Sequence, residues 1–424
     1  MAGGYLRPVG TLREIYTLEA PCKLPNSSRQ GCPHFFIFAN AGFKYRKTVI
    51  VGLMRITAAT AWLHSLHFIE LGPTTTESIL GDCRSAARAS DPPDARSWAQ
   101  VLARYREPNH ARSIVEIAIT LGPLVALWVL AWVGYYLGFW WLSLLIAVPA
   151  AGFLVRLFMI QHDCGHGAFF SHRAANDWVG RVIGVLTLTP YDFWRRMHAA
   201  HHANSGNLDR RGLGDVKTLT VREYLARPLW GRLCYRLYRH PIVIFGIGPA
   251  YLFVLQQRLP VGMLRSGGWR PWFSTMATNF AIMLVVAVLI WFVGVGPFLL
   301  VHLPITFIAG SVGVWPFYVQ HQFDPTFWAR DDEWTLHEAA LYGSSHYDLP
   351  GILRWFTANI GIHHVHHLCS RIPYYRLQRA LRDHPERREV SRVTLLQSFT
   401  CVRLALWDEG RGRLISFREI RHLY

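Results

Sequence analysis

Two apolar runs, residues 114–134 and 139–160, stand side by side in the chain, interrupted only by Glu116 near the start of the first and Arg156 near the end of the second. Each is long enough to form a helix that crosses a bilayer core of about 30 Å. The short aromatic turn Tyr135-Tyr-Leu-Gly138 between them predicts a helical hairpin. A second pair, 273–295 and 297–319, predicts another hairpin, with Gly296-Pro297 as the break. Residues 179–190 and 241–255 are too short to cross and predict interfacial or re-entrant segments. Ahead of the first hairpin the pattern is weak. Residues 49–63 are apolar but short and carry Arg55, and residues 81–97, rich in Ala, Arg, Asp and Pro, predict a linker. The division expected is an N-terminal extension and linker at 1–96, a membrane domain at 97–390 and a basic C-terminal tail at 391–424. The fold class expected is an all-α membrane protein, with four transmembrane helices in two hairpins beneath a cytoplasmic helical cap.

Composition agrees with this pattern. Hydrophobic residues make up 51 % of the 424 and charged residues only 17 %, below the roughly 25 % usual in soluble domains. The net charge of +17 would suit nucleic acid, but the long apolar runs favour anionic lipid head groups instead. Spans two and four end on the same side. The basic stretches from Arg195 to Arg239 and from Arg371 to Arg388 follow them, which makes that side cytoplasmic by the positive-inside rule. Arg195, Arg196, Arg210 and Arg211 are candidates for a lipid phosphate or an acidic partner, with topology as their plain alternative role. Seven cysteines without regular spacing argue against a disulfide framework or a Cys-x-x-Cys site. Met1 to Arg13 lacks the apolar core of a secretory signal. Asn26-Ser27-Ser28 fits a glycosylation triplet, which a cytosolic segment leaves unused.

Candidate chemistry lies in the histidines. They cluster as His162 with His166, then His198, His201 and His202, then His363, His366 and His367, all on the inferred cytoplasmic side. On a helix, His-x-x-x-His and His-x-x-His-His place imidazoles one turn apart on one face. Imidazole suits iron, zinc, copper and nickel rather than calcium or magnesium. Eight such groups exceed the need of one tetrahedral ion, so two metal ions are the economical reading. A lone histidine pair at this spacing is usually incidental; three clusters on one side are not. His321 closes the fourth span and is either a ninth ligand or an interfacial histidine. Asn359, four residues before His363, is expected on the same helical face, holding a water or orienting a ligand. His172, His337, His346 and His364 are left outside the set.

The order His162-Asp-Cys-Gly-His166, His198-Ala-Ala-His-His202, His363-His-Val-His-His367 resembles the three histidine boxes of the integral-membrane fatty acid desaturases. The flanks Ser205-Gly-Asn-Leu-Asp-Arg-Arg-Gly212, Asn359-Ile-Gly-Ile and Ser370-Arg-Ile-Pro-Tyr374 are similar to bacterial acyl-lipid desaturases of the Δ12 or omega-6 type. The resemblance runs from about Ser97 to Arg388, so the extension before it is expected to be a misassigned start or dispensable. It implies two iron ions held by the box histidines, O2 as co-substrate, a fatty acyl lipid substrate and a ferredoxin or cytochrome b5-type electron donor. The acyl tail would enter from the bilayer between the spans, with Trp141, Phe158 and Trp355 as candidates for shaping its bend. A His-box hydroxylase or a carotenoid ketolase shares this cage and is the nearest rival. A metal transporter predicts polar residues at the centre of spans, which are apolar here, and a zinc protease predicts a His-Glu-x-x-His motif that does not occur.

Overall fold

The computed structural model describes residues 95–212, 214–260 and 268–423. The apolar stretch 49–63, most of the linker expected at 81–97 and nearly all of the N-terminal extension lie outside the described residues.

A short helix, α1 (Ala95–Leu102), precedes two long ones, α2 (His110–Tyr136) and α3 (Trp140–His166). Asn109 caps α2 by accepting a hydrogen bond from the Arg112 amide at 2.9 Å, and α3 stops at Gly167, which takes the left-handed conformation common at helix ends. Then come α4 (Arg173–Leu186), α5 (Tyr191–Asn204), β1 (Leu219–Thr220), α6 (Val221–Leu225) and α7 (Leu229–Tyr238). A π-turn at Val243–Ile247 leads into α8 (Gly248–Val254), followed by the long helices α9 (Arg270–Val293) and α10 (Val295–His321). The remainder is built of short pieces: α11 (Leu336–Tyr342), β2 (His346–Asp348), α12 (Gly351–Phe356), α13 (His363–Leu368), α14 (Tyr374–Asp383), β3 (Arg392–Thr394), α15 (Leu395–Cys401), β4 (Leu404–Asp408), β5 (Arg413–Ser416) and α16 (Phe417–Leu423).

Among the described residues, α2, α3, α9 and α10 are long and apolar enough to cross a membrane. Each corresponds to one of the four apolar runs, but α3 and α10 continue past theirs, so that His162, His166 and His321 remain helical. The break between α9 and α10 differs from expectation. It falls at Gly294, whose φ of +73° and ψ of 162° are open essentially to glycine alone. Gly296 and Pro297 belong to the first turn of α10, where the missing proline N–H leaves no bond unmade. The Tyr136 hydroxyl donates to the Val293 carbonyl at 2.6 Å, which brings the turn after α2 beside this break.

The two short apolar runs also resolve differently from each other. Residues 179–186 complete α4, and 187–190 form the loop into α5. Residues 241–255 fall in a bent pair, Leu229–Tyr238 with Val243–Arg258, angled by 57° and fitting a broken span or a re-entrant loop.

The core sits around α3, whose apolar stretch is 56 % buried, against 6 % for α9. Ala147, Ala150 and Ala151 are buried on it, and small residues let neighbouring helix backbones approach closely. By contrast α9 turns Phe280, Met283, Leu284 and Trp291 outward. Glu116 of α2 and Arg156 of α3 pair with each other and are 1 % and 3 % exposed. His302 of α10 lies against the rings of Trp128, Trp132 and Phe298.

The all-α expectation holds for the bulk of the described residues but misses five short strands. β1 runs parallel to β4, which is antiparallel to β5, and β2 runs parallel to β3. The described part of the segment expected as a basic tail at 391–424, residues 391–423, therefore folds back onto the domain. Adjacent apolar residues explain why: Leu406 and Trp407 on β4 and Leu414 and Ile415 on β5 point to opposite faces and are all buried, while Arg411 in the turn and Arg413 at the start of β5 stay at the surface side.

Candidate metal centre

The last turn of α3 carries His162 and His166 four residues apart, and α5 carries His198, His201 and His202 with the same helical spacing. His321 is the final residue of α10, and α13 is hardly more than His363, His366 and His367 with the residues between them. Close packing of α3 on α5 depends on Gly165, because a methyl group there would lie 2.8 Å from the Trp194 ring. Trp194 in turn stacks on His198, with ring centroids 4.7 Å apart and planes inclined by 15°.

The nine histidines singled out from sequence fall into two groups. His162, His166, His198, His202 and His366 form one, and His201, His321, His363 and His367 form the other; within each group the nitrogens lie within 4.8 Å of one another. The groups adjoin, since His202 and His367 stack at 4.1 Å. In the first group the Nε2 of His198 lies 3.0 Å from those of His162 and His166 and 3.1 Å from that of His202. In the second, the Nε2 of His363 lies 3.0 Å from that of His321 and 3.1 Å from that of His367.

Hydrogen bonding alone cannot satisfy this arrangement. A neutral imidazole carries one N–H, so His198 can share at most one proton with three facing nitrogens. A cation at the centre of each group solves the problem. Two ligand nitrogens each about 2.1 Å from one ion and at right angles are about 3.0 Å apart, matching the spacing seen. Burial, and after it the neighbouring imidazoles, hold His198, His202, His366 and His367 well below the ordinary histidine pKa. Burial also lowers His363, followed by His321 and then His366. These rings are therefore neutral, the form that binds metal.

Outer partners aim several of the rings. His162 Nδ1 donates to Asp163 at 3.3 Å, and the other oxygen of Asp163 accepts from the Tyr374 amide at 2.7 Å. His201 Nδ1 pairs with the Asp215 carboxylate, and its Nε2, in the second group, has no hydrogen-bond partner among the described residues. His321 Nδ1 donates to the Gly343 carbonyl at 3.2 Å. Such contacts at Nδ1 leave the Nε2 lone pair turned inward. The donor set therefore fits metal ions: buried or partly buried, neutral, all nitrogen, and aimed.

Other expectations fare differently. Asn359 does not share a helical face with His363, because α13 begins only at His363 and Asn359 sits in a turn at φ +56°. Its amide donates to the Tyr374 carbonyl at 3.2 Å. Trp141 is half exposed near the start of α3, at the opposite end of that helix from His162. Phe158 packs edge-on to Trp194, and Trp355 lies against Arg156 and Phe153. Arg195 is tied to Asp177, Arg210 to Asp331 and Arg211 to Glu223, so three of the four arginines suggested for a phosphate are already paired. His346 and His364 reach the backbone carbonyls of Arg388 and Arg387. Sequence reasoning missed Trp194 and Asp215. Trp194 was within reach, four residues before His198 and hence on its face of a helix; Asp215 follows an irregular loop and carried no signal.

Comparison with known proteins bears on the same residues. The family model described as fatty acid desaturase matches residues 139–397. The "Fatty acid desaturase" of Bacillus subtilis (strain 168) is 41 % identical over 322 residues, 76 % of this chain and 90 % of the relative. Two proteins of Synechocystis are also similar. Its "sn-1 acyl-lipid omega-3 desaturase (ferredoxin)" is 28 % identical over 65 % of this chain and 75 % of its own length. Its "sn-1 oleoyl-lipid 12-desaturase" is 26 % identical over 65 % and 76 %. The chain belongs to the fatty acid desaturase family, a family of oxidoreductases.

Proposed function

We propose that the chain is an O2-dependent desaturase with two iron ions, introducing a cis double bond into the fatty acyl chain of a membrane lipid. The observation that carries this reading is the convergence of nine histidines, six of them buried and three partly buried, into two adjoining groups. One ion would be held by His162, His166, His198, His202 and His366, the other by His201, His321, His363 and His367. A methylene within an alkyl chain has no acidic proton for a general base to remove, so the iron pair supplies, with O2, the oxidising power that the step requires. Two hydrogens leave the acyl chain as the double bond forms. With two electrons and two further protons they complete the reduction of O2 to two waters.

The protein's own groups do the positioning. Asp163 and Asp215 hold the rings of His162 and His201, and Trp194 keeps His198 in place by stacking. The apolar spans offer the acyl chain a route from the bilayer. The positive-inside bias supports two hairpins whose histidine-bearing ends meet in a cytoplasmic cap. The electrons would come from a ferredoxin or cytochrome b5-type donor; the name of one Synechocystis relative carries ferredoxin, and that of an Arabidopsis thaliana relative cytochrome b5. Mass spectrometry of lipids from cells expressing the chain tests the reading. The expected result is acyl chains lighter by two hydrogens, absent with His198→Ala; acyl chains heavier by one oxygen would make the protein a hydroxylase instead.

A further inference from the structure

A second polar feature lies within the apolar framework and is not part of the histidine groups. A cleft of about 390 Å³ opens between α2, α3, α12 and α14, lined by Arg112, Arg156, Arg354, Tyr374, Tyr375 and Gln378 among others. Three arginines line it against a single carboxylate, Glu116, so it carries excess positive charge. That carboxylate is fully engaged: one oxygen pairs with Arg112 at 2.7 Å, and the other takes Arg156 and the Tyr374 hydroxyl, the latter at 3.0 Å.

Positive capacity is left over. Arg156 is 3 % exposed and lies 4.0 Å over the Trp355 ring, yet its Nε has no hydrogen-bond partner among the described residues. Arg354 reaches Gln378 only at 3.5 Å, the outer limit of a hydrogen bond. Arg112 keeps 55 % of its side chain exposed. The Arg156 Nη1 also donates to the Trp355 carbonyl, which fixes that guanidinium at the base of the cleft, while Arg112 and Arg354 present their charge where an anion in the cleft can reach it.

The surroundings indicate what carries the anion. Ile114 and Val115, just after Arg112 on α2, are exposed, as are Ile352 and Leu353 on α12. The cleft therefore sits where an outward apolar surface meets a basic pocket. It also abuts the histidine groups. Arg156 precedes His162 by six residues, about 9 Å along the helix, and Tyr374 lines the cleft while its amide binds Asp163 beside His162.

We propose that this cleft binds the phosphate of a membrane glycerolipid, with Arg112 and Arg354 closing on it over the fixed Arg156. Guanidinium forks match phosphate oxygens in pairs, and the flanking apolar residues receive the glycerol and acyl portions. The proposal rests on the reading of the substrate as an acyl lipid. It gives that substrate a polar anchor other than the arginines paired with Asp177, Asp331 and Glu223.

The test is equilibrium binding to the full chain in detergent, with dihexanoyl phosphatidylglycerol, dihexanoylglycerol, coenzyme A and inorganic phosphate as probes. Wild-type protein is expected to prefer the phospholipid, and Arg112→Gln and Arg354→Gln are each expected to weaken its binding about ten-fold. Both positions are at the surface of the cleft, and unchanged unfolding temperatures would verify folding. Equal phospholipid binding by both variants overturns the site, as does coenzyme A, inorganic phosphate or the neutral lipid binding as tightly as the phospholipid. Because the readout needs neither iron nor turnover, a wild-type chain that binds as expected but leaves cellular lipids unaltered would support the cleft while defeating the desaturase reading.

Discussion

At the residue scale the site is a problem of charge and solvation. Nine imidazoles packed this closely are compatible with one another only while neutral, and burial is the main reason that His198, His202, His363, His366 and His367 resist protonation. In the unfolded chain the same residues titrate near 6.5. Below that pH the unfolded state binds more protons than the folded one, so metal-free protein loses stability as pH falls through about 6.5 and is insensitive above it. Thermal unfolding of the metal-free chain is expected at a clearly lower temperature at about pH 5.5 than at about pH 7.5, with a smaller difference for the His198→Asn/His363→Asn double variant. An unfolding temperature that is flat or rises on acidification would contradict neutral rings. The ligand candidates were legible in the sequence because helical spacing reveals which side chains share a face, and His321 stood out by closing an apolar run. Their outer partners were less so: Asp215 meets His201 through a loop, and nothing local to either residue encodes that contact.

Elements were legible where apolar length alone decides them. The four long helices follow from their runs, and α10 ends at His321 as its run implies, whereas α3 continues six residues beyond its apolar stretch to His166, its polar last turn staying helical against the other histidines. The break between α9 and α10 was misplaced by two residues for a related reason. Proline in a first turn reads like a helix stop, whereas the residue that turns the chain is Gly294. Gly294→Ala is therefore expected to cost about 1–3 kcal/mol, measurable as a lowered unfolding temperature in detergent, while Gly296→Ala, in helical backbone, costs less. Equal effects of the two would mean that the break does not depend on the conformation at Gly294. The strands of the C-terminal region escaped notice because each is only a few residues long and finds its partner far away in sequence, as β1 finds β4.

For the whole molecule, a framework of long apolar helices brings segments some two hundred residues apart in sequence to one site: His162 on α3 approaches His366 on α13 with ring centroids 4.7 Å apart. The basic cleft lies on the same framework, Arg156 standing about one and two-thirds turns before His162 on α3, so that the proposed lipid anchor and the histidine groups share one helix. The proposed reaction, unlike the cleft, depends on the histidine groups holding metal. The most direct test is the iron content of the full chain, purified in detergent after loading with ferrous ion, compared with His198→Ala and His363→Ala. Two irons per chain are expected in the wild type and about one in each variant, since each substitution opens a different group. One iron or none in the wild type, or two retained in both variants, would contradict this.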